Sequence, residues 1–223
     1  MFDYQQVNLI AVTKPLNLSM NASDLISYCA RVSNPSNQKN FDTSSKLLKY
    51  CYRNEHWSIF EMVNVVMEIR TTRDIARQIL RHRSFSFQEF SQRYAEVTNN
   101  LTSEHTREAR LQDNKNRQNS IETDDIKLQR EWDFLQKELN ISALKKYQWA
   151  LDNGIAKEVA RSILPEGLTE STLYMNGTLR SWIHYCVLRM GNGTQKEHRD
   201  ISTKAWELLK EEFWFLESFE EKE

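Results

Sequence analysis

Two repeating patterns of apolar residues divide the chain into predicted strands and helices. Apolar residues tend to alternate with polar ones in residues 7–13 (VNLIAVT), 62–70 (MVNVVMEIR) and 171–175 (STLYM), which predicts short strands. Elsewhere, apolar residues three or four positions apart predict helices. These helices cover about residues 23–31, 43–54, 72–83, 128–153, 156–164, 179–190 and 194–216. Residues 84–94 leave the helical pattern.

A polar segment interrupts this pattern in the middle of the chain. Residues 99–127 contain few apolar positions and predict a mobile surface insertion in a single domain that spans residues 1–223. The segment accounts for much of the low apolar content, which is 39% hydrophobic residues with a mean hydropathy of −0.69. We therefore expect an interface between copies of the chain to supplement its core.

Composition argues against several classes of protein. All five glycines follow residue 153, so the first two thirds of the chain cannot form a glycine-rich phosphate loop. No apolar run reaches the ~18 residues of a membrane span, and the first residues lack signal-peptide features, which predicts a cytoplasmic protein without a membrane partner. The widely spaced cysteines predict reduced thiols rather than disulfides or a metal site. They are Cys29, Cys51 and Cys186.

Charge is concentrated locally although its total is small. The chain has 30 Lys and Arg against 31 Asp and Glu, and this balance disfavours non-specific nucleic-acid binding by the whole surface. In residues 70–93, however, six arginines accompany only two acidic residues. Converging arginines can bind a phosphate or carboxylate without a glycine loop. The alternative is a solvated helix face, and composition alone leaves both interpretations open.

The order of residues in this segment is more specific than its charge. In RHRSFSFQEFSQR, residues 81–93, Arg81-His82-Arg83 is followed after seven residues by Ser91. This order resembles the RHR-x7-S motif of the flavin-dependent thymidylate synthases. Three further blocks resemble the same family in the same order, so that the resemblance covers most of the chain. They are HWSIFE at 56–61, EVARSILP at 158–165, and NGTLRSWIHY at 176–185 continuing to Arg189.

The resemblance implies a fold, an activity and a set of ligands. The fold is expected to be α+β, with a small central antiparallel or mixed sheet flanked by long helices. The expected activity converts dUMP to dTMP, with methylenetetrahydrofolate as carbon donor and NADPH as reductant through FAD. The implied assembly is a homotetramer with active sites between subunits. Neither a metal nor a nucleic-acid partner is expected.

The resemblance also implies which residues form the site. Residues expected to bind dUMP are Gln78, Arg81, Glu89, Phe90, Ser91, Gln92, Arg93, Arg161 and Arg189. Residues expected to contact FAD are His56, Ser58, Arg81, His82, Arg83, Glu89, Thr178, Leu179, Arg180 and His184. Arg189 is the expected catalytic residue, because a guanidinium against the uracil N3/O2 edge would stabilise negative charge there. Whether Asn176, Gly177 or Thr178 reaches the flavin stays open.

Several of these residues also have a purely structural interpretation. His56 and Arg189 could cap helix ends, and Ser91 could be a turn hydroxyl. We interpret His105 and His198 as surface residues. Core positions are expected for Trp182, Trp206 and Trp214.

A second class of function competes with the enzyme. The segment that follows Arg81 alternates cations with aromatic rings, a combination typical of single-stranded nucleic-acid binding modules. The rings belong to Phe85, Phe87, Phe90 and Tyr94. The near-zero net charge and the three further blocks count against this alternative.

Overall fold

A central antiparallel sheet organises the structure. The computed structural model describes residues 5–16, 19–97 and 106–219. These residues form strands β1 (Gln6–Val12), β2 (Asn64–Thr72), β3 (Ser86–Glu89), β4 (Arg110–Gln112), β5 (Ser120–Glu122) and β6 (Glu170–Thr178). The main sheet has the order β1-β2-β6-β3, and every neighbouring pair is antiparallel. The α+β prediction is confirmed, and of the two predicted sheet types the antiparallel one is observed.

Helices cover the sheet, and most of them lie between its strands in the sequence. They are α1 (Ala22–Ala30), α2 (Ser44–Arg53), α3 (Arg73–Ile79), α4 (Ile126–Asp152), α5 (Lys157–Ala160), α6 (Leu179–Arg189) and α7 (Lys196–Glu212). The helix predicted over 156–164 changes at Arg161 into a short 3₁₀ helix, Arg161–Ile163. The last predicted helix ends at Glu212 instead of residue 216, because Phe213 leaves the helix and is fully buried in the core.

The core is built from the alternating side chains of the central strands. Val65, Met67 and Ile69 of β2 are fully buried on one face of the sheet, as the period of two requires. Helix α6 packs on this face, where the Trp182 indole N–H donates to the Val65 carbonyl at 3.0 Å. Trp206 is buried as well. The prediction for Trp214 is wrong, since this residue is 38% exposed and its ring lies beside Lys49.

The described part of the polar insertion is held by specific hydrogen bonds. Residues 99–105, including His105, lie outside the described residues. Beyond them, the Gln136 side-chain amide pairs with both backbone groups of Arg107, at 2.9 and 2.8 Å. Gln129 does the same with Ala109, at 2.8 and 2.9 Å. A side-chain amide has the same donor and acceptor as a peptide group. The Gln129 and Gln136 side chains of α4 therefore bond to this backbone as a neighbouring strand would. This ordering differs from the mobile segment that the composition predicts.

Arg107 connects the insertion to the central sheet. Its guanidinium donates to both carboxylate oxygens of Asp74 and to the Thr72 hydroxyl, all at 2.7 Å. Although burial opposes ionisation of Asp74, these hydrogen bonds hold the pKa of its carboxyl group below the usual value. Three residues further on, Arg110 donates to the fully buried Glu197 of α7 at 2.5 Å. The segment is therefore anchored to the first turns of α3 and α7.

The apolar residues that predict helix α4 divide between two faces. Leu144 and Tyr147 pack into a small core cluster, whereas four others are between 36% and 55% exposed: Leu128, Trp132, Leu135 and Leu139. The inward face carries Gln136, Asn140, Ala143, Tyr147 and Ala150 instead, because it must satisfy the backbone of the insertion. A contiguous exposed apolar stripe is typical of a contact surface.

Burial also corrects the interpretation of the remaining histidine. His198 lies on α7 and is fully buried, so its prediction as a surface residue is wrong. All three cysteines are free thiols, and burial raises the pKa of Cys186 well above the usual range. Within the described ranges, no helix combines the length and apolar character needed to cross a membrane.

Candidate active site

Arg73 and Arg77 of α3 face a cavity at one end of the sheet. They lie one helical turn apart and approach the two carboxylate oxygens of Glu89, at 3.7 and 3.9 Å. Arg73 is buried, and its backbone N–H donates to the Thr169 carbonyl at 2.9 Å, which fixes the start of α3 beside β6. Burial lowers the pKa of Arg73, and the charge of Glu89 partly offsets this effect. This helix face is thus only partly solvated, since Arg73 is buried beside the cavity whereas the Arg77 side chain is 49% exposed.

Arg161 completes the cationic lining of this cavity. The cavity has a volume of about 340 Å³, and its lining residues are Arg73, Arg77, Gln92, Glu158, Arg161, Ser162, Leu164 and Glu166. Gln92 is 3% exposed, and its Nε2 has no hydrogen-bond partner among the described residues. A buried amide donor without an acceptor is unfavourable, and an anion in the cavity would supply the acceptor. Three guanidinium groups and this amide form a site suited to phosphate.

Arg189 is paired with a neutral histidine. The α3 helix ends just before Arg81-His82-Arg83, and the C-terminal residue of α6 is Arg189. The Arg189 Nε–H donates to His82 Nε2 at 2.9 Å, so this nitrogen must carry a lone pair. Burial and the nearby Arg189 charge lower the pKa of His82 to about 4. Because His82 is neutral, it orients the guanidinium without repelling it.

A second polar surface lies at the other end of β6. The 3₁₀ helix Trp57–Glu61 packs beside the start of α6, where Glu61 and Arg180 are paired at 2.5 Å. The rings of Trp57 and His184 are 4.5 Å apart. Thr178 caps α6 by accepting the Ser181 N–H at 3.2 Å. His56 and Ser58 are exposed on the same 3₁₀ segment, so five predicted cofactor residues lie on one surface.

Residues 89–93, which begin at the last residue of β3, are all predicted to bind dUMP. Glu89 accepts from the Ser171 hydroxyl at 2.9 Å, and the Phe90 N–H donates to the Thr172 carbonyl at 2.9 Å. Ser91 is exposed, and Arg93 pairs with Glu158 of the cavity lining at 3.1 Å. Of the predicted dUMP residues, Gln92 and Arg161 line this cavity, and Glu89 contacts its arginines. Ser91 and Arg93 line a second cavity of about 480 Å³, which shares Glu158 with the first.

Not every predicted residue joins one of these groups. Leu179 is fully buried in the core, and its N–H donates to the Val63 carbonyl at 2.8 Å, so neither its side chain nor its N–H is free for a cofactor. Arg81 and Arg83 are exposed beyond the end of α3.

Arg73 and Arg77 were missing from the predicted site. Their four-residue spacing with Arg81 was the available signal, because it places all three on one helix face.

The fold and site together define an α+β protein whose candidate phosphate site is built from arginines instead of a glycine loop. The chain belongs to the Thy1 family, described as thymidylate synthase complementing protein, whose family model matches residues 16–213.

Curated relatives cover nearly all of the chain. A probable flavin-dependent thymidylate synthase from Paramecium bursaria Chlorella virus 1 is 52% identical over 92% of this chain and 94% of its own length. A flavin-dependent thymidylate synthase from Synechocystis sp. is 48% identical over 93% of this chain and 95% of its own length. Among solved structures, the UMP/dUMP methylase PolB from Streptomyces cacaoi has the same fold, with a TM-score of 0.78 over 96% of this chain and 93% of that one at 23% identity.

Proposed function

We propose that this protein is a flavin-dependent thymidylate synthase that converts dUMP to dTMP. In this proposal, methylenetetrahydrofolate supplies the carbon and NADPH supplies reducing equivalents through FAD. The observation that carries the proposal is the anion cavity, in which Arg73, Arg77 and Arg161 converge on a buried Gln92 amide without a partner. Membership of the family over residues 16–213 supports the same conclusion.

The 5′-phosphate of dUMP is the group that suits this cavity. Three arginines give a dianion charge-assisted hydrogen bonds, and the carboxylates of Glu89 and Glu166 hold Arg73 and Arg77 beside the cavity. The pyrimidine would then extend along the segment from Glu89 to Arg93, towards Gln78 and Arg81. These residues together with Arg161 and Arg189 form the proposed dUMP site.

Arg189 is the proposed catalytic residue. Its Nε–H is engaged by His82, which leaves the two terminal nitrogens to face the uracil N3/O2 edge. Their positive charge would stabilise the negative charge that develops on the ring when its C5 carbon attacks the methylene donor. Neutral His82 holds the guanidinium in one orientation and does not reduce its charge. No cysteine is needed as a nucleophile in this scheme.

The residues at the other end of β6 fit a flavin dinucleotide. A pyrophosphate needs cations where no glycine loop exists; Arg180 lies on this surface, and Arg81 and Arg83 are exposed beyond the end of α3. His56, Ser58 and His184 add hydrogen-bonding groups on the surface beside α6. FAD, when bound, would supply the hydride that reduces the transferred carbon. The protein residues would hold it and align it with the pyrimidine.

The distance between the two groups of residues supports an active site shared between copies. The arginine cavity and the surface around Arg180 lie towards opposite ends of the nine-residue strand β6, which is about 27 Å long at ~3.4 Å per residue. The exposed apolar stripe of α4 offers a surface for subunit contact. We therefore propose the homotetramer with sites between subunits, in which one subunit contributes substrate residues and another contributes cofactor residues.

The nucleic-acid binding alternative is not favoured. Its stacking platforms would need accessible rings, but Phe85 is buried, and Phe87 packs against the core. Phe90 is half-buried, and only Tyr94 of the four rings is largely exposed. A single exposed ring does not form a track for successive bases.

The test is the absorption spectrum of the purified protein with and without dUMP. We expect a flavin band that NADPH bleaches and that dUMP perturbs. Arg161→Ala should retain flavin and weaken dUMP binding about 10- to 100-fold, the effect of losing a charge-assisted hydrogen bond. Arg130→Ala is the matched control, because Arg130 is exposed on α4 away from the cavity. A protein that takes up no flavin and does not oxidise NADPH would disprove the proposal.

A further inference from the structure

A chain of hydrogen bonds runs from the core to the proposed dUMP site through Gln78. The Tyr185 hydroxyl of α6 lies 3.0 Å from His198 Nε2, and His198 Nδ1 lies 3.3 Å from Gln78 Oε1. Gln78 Nε2 then donates to Gln195 Oε1 at 2.7 Å. The chain joins three helices, since Gln78 is on α3 and His198 is on α7. Its inner end is closed to solvent, because Tyr185 is 2% exposed and His198 is fully buried.

The donors and acceptors in this chain have a fixed order. A carbonyl oxygen only accepts, so His198 Nδ1 must donate to Gln78 Oε1. Burial, and to a lesser extent the charges of Arg189 and His82, lower the pKa of His198 to about 3, so the ring is neutral and Nε2 is an acceptor. The Tyr185 hydroxyl therefore donates to Nε2. Gln78 keeps one N–H and one carbonyl lone pair for a ligand.

Tyr185 selects this order over its reverse. If the Gln78 amide were turned around, its N–H would donate to Nδ1 and the ring proton would move to Nε2. The Tyr185 hydroxyl would then be an acceptor, and its own proton would be buried without a partner, since the hydroxyl has no second hydrogen-bonding contact among the described residues. Leaving a buried donor unpaired is unfavourable. The observed order is thus imposed from the core.

The chain also packs directly against the Arg189 pair. The His82 ring lies 4.9 Å from the Tyr185 ring and 6.3 Å from the His198 ring, both edge to face. The residues that hold Gln78 and Arg189 therefore touch one another. A purely structural core would be expected to fill this volume with apolar side chains, because buried polar groups stabilise a fold only when all are paired.

We propose that Tyr185 and His198 are positioning residues that fix the orientation of the Gln78 amide, so that one N–H and one carbonyl oxygen meet the pyrimidine of dUMP in a set order. A uracil edge carries an imide N–H beside carbonyl oxygens, and an amide in one orientation complements it, whereas the reversed amide opposes donor to donor. This inference rests on the proposed function, because it assumes that Gln78 binds dUMP.

The experiment measures the dissociation constant of dUMP from the perturbation of the flavin spectrum in the complete holoenzyme. His198→Leu removes the chain, so that neither the orientation of the Gln78 amide nor its side-chain rotamer is held, and this should raise the constant about tenfold, which corresponds to about 1.4 kcal/mol. Tyr185→Phe removes only the selecting hydroxyl. If both amide orientations become equally populated, the constant should rise about twofold. His198→Asn restores a donor near Nδ1 and should recover most of the affinity lost in His198→Leu.

A double-mutant cycle separates positioning from a general loss of stability. In a Gln78→Ala background, His198→Leu should no longer change dUMP affinity, because it acts only through Gln78. Tyr147→Phe is the control for stability, since Tyr147 is fully buried and its hydroxyl accepts the Val97 N–H at 3.4 Å in a separate part of the core. Its Tm should fall about as much as that of Tyr185→Phe, with dUMP affinity unchanged.

The outcomes distinguish this inference from the proposed function. Equal affinity in wild type and His198→Leu, or the same loss in the Gln78→Ala background, would overturn the positioning role and leave the proposed function intact. A flavin-loaded wild type that does not respond to dUMP would overturn the proposed function itself, and the positioning role with it.

Discussion

Gly177→Ala should destabilise the protein, because the site of the new methyl group is occupied. Gly177 is buried in β6 opposite Val65 of β2. A Cβ atom built there would lie 2.4 and 2.6 Å from two ring carbons of Phe85. Ordinary carbon contacts are ~3.5 Å or longer, so the ring would have to move by about 1 Å. Phe85 has little room, since its ring is 5.0 Å from that of Trp182 and 5.9 Å from that of Tyr185.

The size of the effect follows from overpacking. Inserting a methyl group into a packed core costs about 1–3 kcal/mol. For a domain of this length, each kcal/mol lowers the Tm by ~2–4 °C, which gives a loss of about 2–12 °C. The displaced Phe85 is bonded through its N–H to the His82 carbonyl at 3.3 Å, so turnover should fall as well. The measurement is thermal unfolding at one fixed protein concentration, because an oligomer's Tm depends on concentration.

Gly193→Ala provides the matched control. Gly193 is exposed, and nothing lies within 4 Å of its added Cβ, so the free energy of unfolding should stay within ~0.5 kcal/mol of wild type, or about 1–2 °C in Tm. Shortening the ring in Phe85→Leu should make the Gly177→Ala substitution less costly, and the two changes should therefore be non-additive. Equal Tm values for the two glycine variants would refute the packing of Phe85 over Gly177. They would also refute the described path of the chain from His82 through Phe85 into β3.

Three further predictions concern charge and the reaction. Arg189→Ala should keep its flavin and lose dTMP formation, measured as product per bound flavin; normal turnover would remove Arg189 from its proposed role. Replacing all three cysteines by Ala should leave activity in a folded, flavin-loaded protein, and complete loss would point to a thiol nucleophile. The pKa of His82 falls from 6.5 to about 4 on folding, so the unfolded chain binds this proton first, and the stability present above pH 6.5 is lost as the pH falls towards 4. We expect unfolding titrations to show that His82→Asn flattens this loss, which is at most ~1.4 kcal/mol per pH unit for one proton; an unchanged slope would argue against a neutral His82.

Local patterns predicted those elements whose own side chains form the core. β2 was recognisable because its buried residues alternate with exposed or half-buried ones from Asn64 to Thr71. β3 was not, because its four residues, SFQE, are exposed or half-buried and are held mainly by pairing with β6. The hairpin of β4 and β5 was hidden for a related reason. Its order depends on Gln129 and Gln136, which lie 20 and 29 residues from their backbone partners and carry no apolar signal.

The site divides in the same way. The motif around Arg81 could be recognised from adjacent residues, and the functional positions that it implied included Arg161 and Gln92. The cavity that joins them could not, because Arg73, Gln92 and Arg161 come from three segments that only the fold brings together. Sequence alone also gave no reason to expect the arginine cavity and the surface around Arg180 towards opposite ends of β6, since the predicted substrate and cofactor sets share Arg81 and Glu89.

His198 shows how a misread polar residue can carry information. Its helix buries a stripe of residues spaced by three or four, which continues through Ile201, Ala205 and Leu209. His198 stands at the first position of this stripe, so helical spacing alone placed it in the interior. A histidine in that position must find hydrogen-bond partners, because burying it unpaired would be costly. Those partners, Tyr185 and Gln78, are 13 and 120 residues away, which the sequence could not reveal. The combination of a polar side chain and an apolar stripe is nevertheless present in the sequence. It predicts a buried polar network rather than a surface residue.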